Sequence, residues 1–530
     1  MKLILITLLC TAAAACGSNI LVVMPFPTYS HMNAFLPIIK ELANRGHNVT
    51  TVSPYPLKKP IPNYRDIILT DTKEKIMHPP GGDSNKGGMN LRALSGFTSM
   101  FIGLWALCPL FLDAIFELPE FQEFLNDKDL KFDLVILEPF FCQQPFLAFG
   151  HKYGAPVVSM VSSSMSPRIS AAAGNSHPLA YIPNLKLKFT DHMTFWERAQ
   201  NAFVGIVELF VDDYYGNKLS EKYGKEFSKY TGFENLPSIS KMQNNISLFL
   251  VDNDFSFSHP RPYLPNIVEF GGLSVKSGGE MPADLQKFMN ESKEGVIFFT
   301  WGSHYNMTNM PPVLLSSFMS VFRKLKQRVL MKWETETLPG KPDNVKIGKW
   351  FPQASILSHP NMRLFITHGG IHGLTETIFN AVPILGTPIF GDQHFNLKMA
   401  EQSGYCITVD IDTVTEEQLN TAINKLLNDP KYKENAKKKS MIFRDRPMNT
   451  LDQAVYWIEY VLRHNGARHL RPGSLDLEGY QNWLLDVIAL FIAIIIAFVA
   501  LFIYSLKLIC KLFKKGNKSR NKGDKKNKKE

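Results

Sequence analysis

Phe365-Ile366-Thr367-His368-Gly369-Gly370-Ile371-His372-Gly373-Leu374-Thr375-Glu376 reads as a short apolar strand that passes through a glycine turn into a helix. Such a turn leaves the first N–H groups of the helix without backbone partners, with the positive end of the helix dipole behind them, so a diphosphate can sit there. The same alternation surrounds it. Val296 to Thr300, Arg328 to Trp333, Val345 to Ile347, Leu364 to Thr367 and Pro383 to Gly386 are short apolar runs separated by helical spacings, which predicts a parallel sheet wound with helices on both faces. A second array opens the chain: Asn19 to Phe26, a helical pattern from Asn33 to Ala43 stopped by Gly46, then Val49 to Ser53, with Phe132 to Leu137 and Ala155 to Val161 further on. Pro and Gly crowd residues 259–285 between the two arrays. The expectation is an α/β protein of two doubly wound domains, 18–270 and 271–465, facing each other across a cleft.

In such sheets ligands bind beyond the carboxyl ends of the strands, so the turn residues there are the candidates for chemistry. Trp350 offers a flat face to a pyrimidine, and Gln353 follows it in Trp350-Phe351-Pro352-Gln353. Glu376, one to two turns into the helix after the glycines, can accept both hydroxyls of a ribose. His368 and Gly370 frame the diphosphate turn, and Ser303, after the strand ending at Thr300, stands in a second one. Asp392 and Gln393 begin the next helix, where they can bond sugar hydroxyls. His31 lies in the turn after the first strand, where a neutral imidazole can take a proton from an attacking hydroxyl.

The ends of the chain carry targeting patterns. Lys2 followed by Leu3 to Leu9 and the small residues up to Gly17 reads as a signal peptide, 1–17. Residues 466–486 form a juxtamembrane segment, and Val487 to Leu506 is uncharged and long enough to span a bilayer. Residues 507–530 hold eleven Lys or Arg against Asp524 and Glu530, so this short tail accounts for nearly all of the net charge of +10 and argues against a nucleic-acid-binding face on the folded part. Lysine after the span favours a cytosolic tail and luminal domains, a single-pass type I arrangement. Lys526 and Lys528 stand five and three places from the terminus, the spacing of an endoplasmic-reticulum retrieval signal. Phe97 to Leu112, interrupted by Pro109, reads as a buried helix or pocket lining, and His78 to Gly88 as a loop. Between the targeting segments only Cys108, Cys142 and Cys406 remain, an odd set that predicts a fold held by its core without disulfides. Asn48, Asn245, Asn290 and Asn306 stand in glycosylation triplets.

The signature from Trp350 to Gln393, with Arg261-Pro262-Tyr263-Leu264-Pro265, Gly271-Gly272-Leu273 and the Arg463 to Arg471 stretch before the span, resembles the UDP-glycosyltransferase family, its microsomal and invertebrate members above all. The resemblance covers essentially the whole chain. It implies a GT-B fold, a UDP-sugar bound by the C-terminal domain, a small lipophilic acceptor bound by the N-terminal one, and inversion at the anomeric carbon without a metal or any cofactor beyond the UDP-sugar. The resemblance implies UDP-glucose or UDP-glucuronate as the donor and an enzyme of the endoplasmic-reticulum membrane, with a homo-oligomer among the expected partners. It makes His31 the general base and sets Glu138 where the family carries Asp; Asp133, at the amino end of the same strand, is the rival partner. His372 is a second departure, standing where many members have Asn. The competing expectation is a luminal lipid or odorant carrier that keeps the fold and has lost catalysis.

Overall fold

The computed structural model describes residues 17–70, 72, 97–273, 275, 278–303 and 305–526. The signal-peptide run, the glycine-rich stretch His78 to Gly88, and Lys528 lie outside the described residues. Two all-parallel sheets carry the fold. The first has seven strands, β1 (Asn19–Val23), β2 (Asn48–Ser53), β3 (Tyr64–Ile68), β4 (Leu134–Leu137), β5 (Val157–Val161), β6 (Leu248–Val251) and β7 (Ile267–Glu269), in the order 3-2-1-4-5-6-7. The second has six, β8 (Val296–Thr300), β9 (Arg328–Lys332), β10 (Val345–Gly348), β11 (Met362–Thr367), β12 (Ile384–Gly386) and β13 (Cys406–Thr408), in the order 10-9-8-11-12-13. The central strands of both are almost wholly buried, which is why they read as continuous apolar runs and not as alternating ones.

Register decides which turns meet. Val23 pairs with Leu137 and Val161 with Val251, so the residues after β1 and β4 emerge side by side, as do Ser162 and Asp252. In the second sheet Thr300 pairs with Thr367, which brings the turn of Gly302 and Ser303 alongside the turn of His368 to Gly370.

Helix α1 (Tyr29–Asn44) packs Phe35, Ile38, Ile39 and Leu42 on the face of the first sheet formed by Ile20, Val22, Leu134 and Ile136. It starts four residues before the expected Asn33, because Thr28 already has the extended backbone of an N-cap and the polar run Tyr29 to His31 fills the first turn. Helix α2 (Phe97–Phe116) covers the other face, with Cys108, Phe111, Leu112 and Ile115 buried. It continues through Pro109, where the sequence predicted an interruption. The contacts with α3 (Phe195–Phe227) explain this: Trp105 Nε1 donates to Asp212 (3.0 Å) on one side of the proline, and Phe116 stacks on Tyr223 on the other. Cys108 is disulfide-bonded to Cys142, correcting the reading of a fold without disulfides; α2 runs over the loop that follows β4, a proximity that 34 residues of separation conceal.

In the second half, α4 (Ile371–Phe379) and α5 (Gln393–Gln402) follow β11 and β12. Helix α6 (Thr450–Arg463) returns to the first sheet, burying Ala454, Val455, Ile458 and Val461 in the core built on Ile20 and Val22. The last helix, α7 (Leu485–Lys526), contains the expected span. Its segment 485–515 contains an 18-residue window of mean hydropathy 3.2 and is, among the described residues, the one helix long and apolar enough to cross a membrane.

Candidate active site

His31 is the third residue of α1 and not part of a loop, a correction that makes its position more rigid. Its Nδ1 lies 2.6 Å from Glu138 Oε2. The carboxylate is fully buried, whereas the imidazole side chain keeps 20% of its exposure. A buried charge is tolerable only when it is bonded, and Glu138 has three donors: His31, the Ser162 N–H to Oε1 (3.2 Å) and Gln143 Nε2 to Oε2 (3.4 Å). Ser162 Oγ is also 3.3 Å from His31 Nδ1. Because the carboxylate only accepts, Nδ1 carries the proton and Nε2 keeps its lone pair. Asp133 sits at the opposite end of the sheet, where its Oδ2 accepts from the Asn19 N–H (2.8 Å). The structure therefore pairs His31 with Glu138 and leaves Asp133 out.

The second sheet faces this pair with a different kind of construction. A methyl group added at either Gly302 or Gly370 would come within 2.8 Å of the His368 ring, so both positions are small because the imidazole fills the space beside them. Gly302 also has φ of +76°, open to glycine and costly for other residues. Ser303 is exposed in the turn after β8. Gly370 is the N-cap of α4 and brings no side-chain cap, so the helix begins with N–H groups free of one. Asn396 of α5 ties the corner together, donating to the Gly369 carbonyl (3.0 Å) and to Asp392 Oδ2 (2.8 Å). Gln393 is buried, and its Oε1 accepts from the Ile389 and Phe390 N–H groups (2.8 and 3.1 Å), so its amide N–H group is what it can offer a ligand.

Trp350 is 68% exposed, its indole face open. Gln353 Nε2 donates to Glu376 Oε2 (2.6 Å). Burial raises the pKa of Glu376, with the Gln353 bond and the His372 charge opposing. Asp392 is raised in the same way, against its Asn396 and backbone bonds and the charges of His372 and His31. His372 Nε2 bonds Asp252 Oδ2 (3.0 Å), a contact from the start of α4 to the end of β6 that joins the two sheets. Burial pulls His372 toward the neutral form, but the Asp252 bond and the charges of Asp252, Glu376 and Asp392 outweigh it and raise its pKa.

The sequence marked His31, Glu138, Ser303, Trp350, Gln353, His368, Gly370, His372, Glu376, Asp392 and Gln393, and did not mark Ser162, Gln143, Asn396 and Asp252, which contact them. Ser162 and Asp252 directly follow strands, which is the signal that would have found them.

A sheet ending in a histidine–carboxylate pair, opposed by a sheet ending in a glycine-lined helix start, defines a glycosyltransferase of GT-B architecture. Residues 118–520 match the family model described as UDP-glucoronosyl and UDP-glucosyl transferase, and the chain belongs to that family. It is 37% identical over 478 residues to UDP-glycosyltransferase UGT4 of Dactylopius coccus, covering 90% of this chain and 92% of the relative. To the human UDP-glucuronosyltransferase 1A8 it is 31% identical over 500 residues, 92% and 91% of the two chains. Among solved structures, the glycotransferase of kitacinnamycin superposes with a TM-score of 0.56 at 20% identity, over 84% of this chain and 99% of that one. The calicheamicin glycosyltransferase CalG4 gives 0.54 at 16% identity, over 84% of this chain and 99% of its own. The protein is a UDP-glycosyltransferase enzyme, and the length and apolar composition of α7 fit membrane anchoring.

Proposed function

We propose that the enzyme transfers a hexose, glucose in the first instance, from its UDP-sugar to the hydroxyl of a small lipophilic acceptor such as a phenol or alcohol, with inversion, in metabolite conjugation or detoxification. The observation that carries this reading is the 2.6 Å bond between His31 and the fully buried Glu138. With Nδ1 engaged, Nε2 takes the proton of the acceptor hydroxyl while its oxygen attacks the anomeric carbon, and the buried carboxylate stabilises the imidazolium that forms. A single displacement inverts the centre, and UDP leaves from the opposite side.

The charge that develops on UDP is met by the N–H groups opening α4, by His368 and by Ser303, electrostatic stabilisation of the kind that a metal otherwise supplies. Trp350 stacks on the uracil, Gln353 and Glu376 hold the ribose, and Asp392 with the Gln393 amide bonds the hexose. The reaction uses no cofactor beyond the UDP-sugar. The aromatic side of the first sheet, with α2 and α3, receives the acceptor. We place both sheets in the endoplasmic-reticulum lumen and the basic tail in the cytosol. The exposure of Asn48, Asn245, Asn290 and Asn306 supports glycosylation there.

The test is UDP release by membranes bearing the full chain, supplied with UDP-glucose or UDP-glucuronate and a panel of phenols. His31→Ala is expected to lose about 10³-fold in kcat while UDP still binds, and the wild-type product to carry a β-linkage from the α-linked donor. Turnover that survives His31→Ala overturns the mechanism. UDP binding with no transfer from any donor replaces the enzyme by a carrier.

A further inference from the structure

The Asp252–His372 contact is not used by the reaction as described above. Asp252 is 3% exposed at the carboxyl end of β6; its N–H donates to the Val161 carbonyl (2.8 Å), and its carboxylate bonds His372. His372 in turn is the second residue of α4, on the helix start assigned to the diphosphate. Ser162, whose Oγ is 3.3 Å from His31 Nδ1, stands beside Asp252 by strand register, so Asp252 lies between the base and the start of α4, and Asp392 is tied through Asn396 to the Gly369 carbonyl at that same start. The hexose must occupy that same interval, because its anomeric carbon has to come within reach of His31 while its phosphate stays at α4. The sugar is thus enclosed by Asp392 on one side and by the Asp252–His372 pair on the other.

The charges in this enclosure are lopsided. The charged side chains that the contacts bring to it are the carboxylates of Asp252, Asp392 and Glu376, with His31 and His372 as the histidines. Two cations at its margins are already matched. Lys332 Nζ bonds the Gly302 carbonyl (2.8 Å) and Glu334 (2.7 Å), and Arg446 pairs with Asp254 (3.0 Å), two residues beyond Asp252. A neutral hexose offers hydroxyls, which can donate to Asp252 and Asp392 alike. A uronate would add a carboxylate beside two others, with a shared histidine as the nearest compensation, and such a like-charge contact disfavours binding.

We propose that Asp252, held by His372, is the specificity-determining residue for the donor: it admits UDP-hexoses with an uncharged sugar and rejects UDP-uronates. This rests on the transfer reading given above and deepens it. The two residues act with opposite sign. Removing the Asp252 charge relaxes the rejection, whereas removing the imidazole leaves Asp252 uncompensated and tightens it. General disorder of the corner would weaken both donors together and leave their ratio where it was.

The experiment is competition of UDP-glucose and UDP-glucuronate for the full-length, detergent-solubilised protein, read as the ratio of their Kd values, in wild type, Asp252→Asn and His372→Asn. The wild type is expected to favour UDP-glucose by about tenfold or more; Asp252→Asn should lower that ratio about tenfold and His372→Asn should raise it. A wild-type ratio near one, a ratio unchanged in Asp252→Asn, or a shift of both variants in the same direction overturns the proposal. Turnover separates this from the transfer reading. A protein that binds both donors alike yet glycosylates phenols defeats only the selectivity proposal, whereas one that prefers UDP-glucose and transfers nothing defeats only the transfer.

Discussion

The two halves of the site solve the same problem, holding a histidine beyond the carboxyl end of a strand, by opposite means. On the first sheet His31 is fixed by side chains: a carboxylate with no exposure, itself held by Ser162 and Gln143. On the second the ring of His368 lies in the space left by Gly302 and Gly370, with Thr367 Oγ1 3.4 Å from its Nδ1. The first half should therefore be sensitive to the loss of atoms and the second to their addition.

Glu138→Gln is the sharpest way to break that contrast. The amide can present an N–H to Nδ1 and so stabilise the tautomer that lacks a free lone pair at Nε2; kcat is expected to fall about 10²-fold or more with donor KM nearly unchanged. A loss confined to KM would mean that the carboxylate serves binding instead. Gly370→Ala adds the methyl that meets the His368 ring, and should raise donor KM about tenfold with little change in the pH profile of kcat, since the base is untouched. An alanine enzyme with wild-type KM would show that the ring has room to move. Gln353→Ala removes the amide that donates to the Glu376 carboxylate and should weaken UDP binding about fivefold, measured by titration with UDP alone.

The smallest expected effect concerns His372. Its folded-state pKa lies above the ordinary 6.5, because the Asp252 bond and the surrounding carboxylates overcome burial. A base raised in this way contributes stability that is fully present below about pH 6.5 and is lost as the pH rises through the raised value. The Tm difference between wild type and His372→Asn should accordingly be widest in acid and narrow toward alkaline pH. A gap that widens with pH would reverse the sign and remove the ion pair from the argument.

What could be read without coordinates follows the same division. Strand ends and glycine turns are local, so the two sheets and the glycine turn of His368 to Gly370 were visible in single short stretches, whereas the choice between Glu138 and Asp133 beside His31 needed the folded chain. Asp252 was not visible, because its meaning depends on a partner 120 residues away that touches it only after both sheets have formed. The Cys108–Cys142 bond escaped for the same reason. Pro109 misled in the other direction: a local rule predicted a break, and packing against α3 overrode it. Gln393 looked like a sugar ligand by position, yet its carbonyl is committed to the loop at Ile389 and Phe390, a use that residue type alone does not announce.

The path of α6 has a consequence for how the molecule is made. A ribosome delivers β1 to β7 long before it delivers Ala454, Val455, Ile458 and Val461, yet those four side chains complete the core over Ile20 and Val22. The first sheet is thus finished last, and a nascent chain arrested near residue 270 holds an uncovered apolar face of the sort that chaperones bind. Gene fragments that end at the Pro/Gly stretch inherit the same defect, whereas a fragment carried through Arg463 brings its own cover.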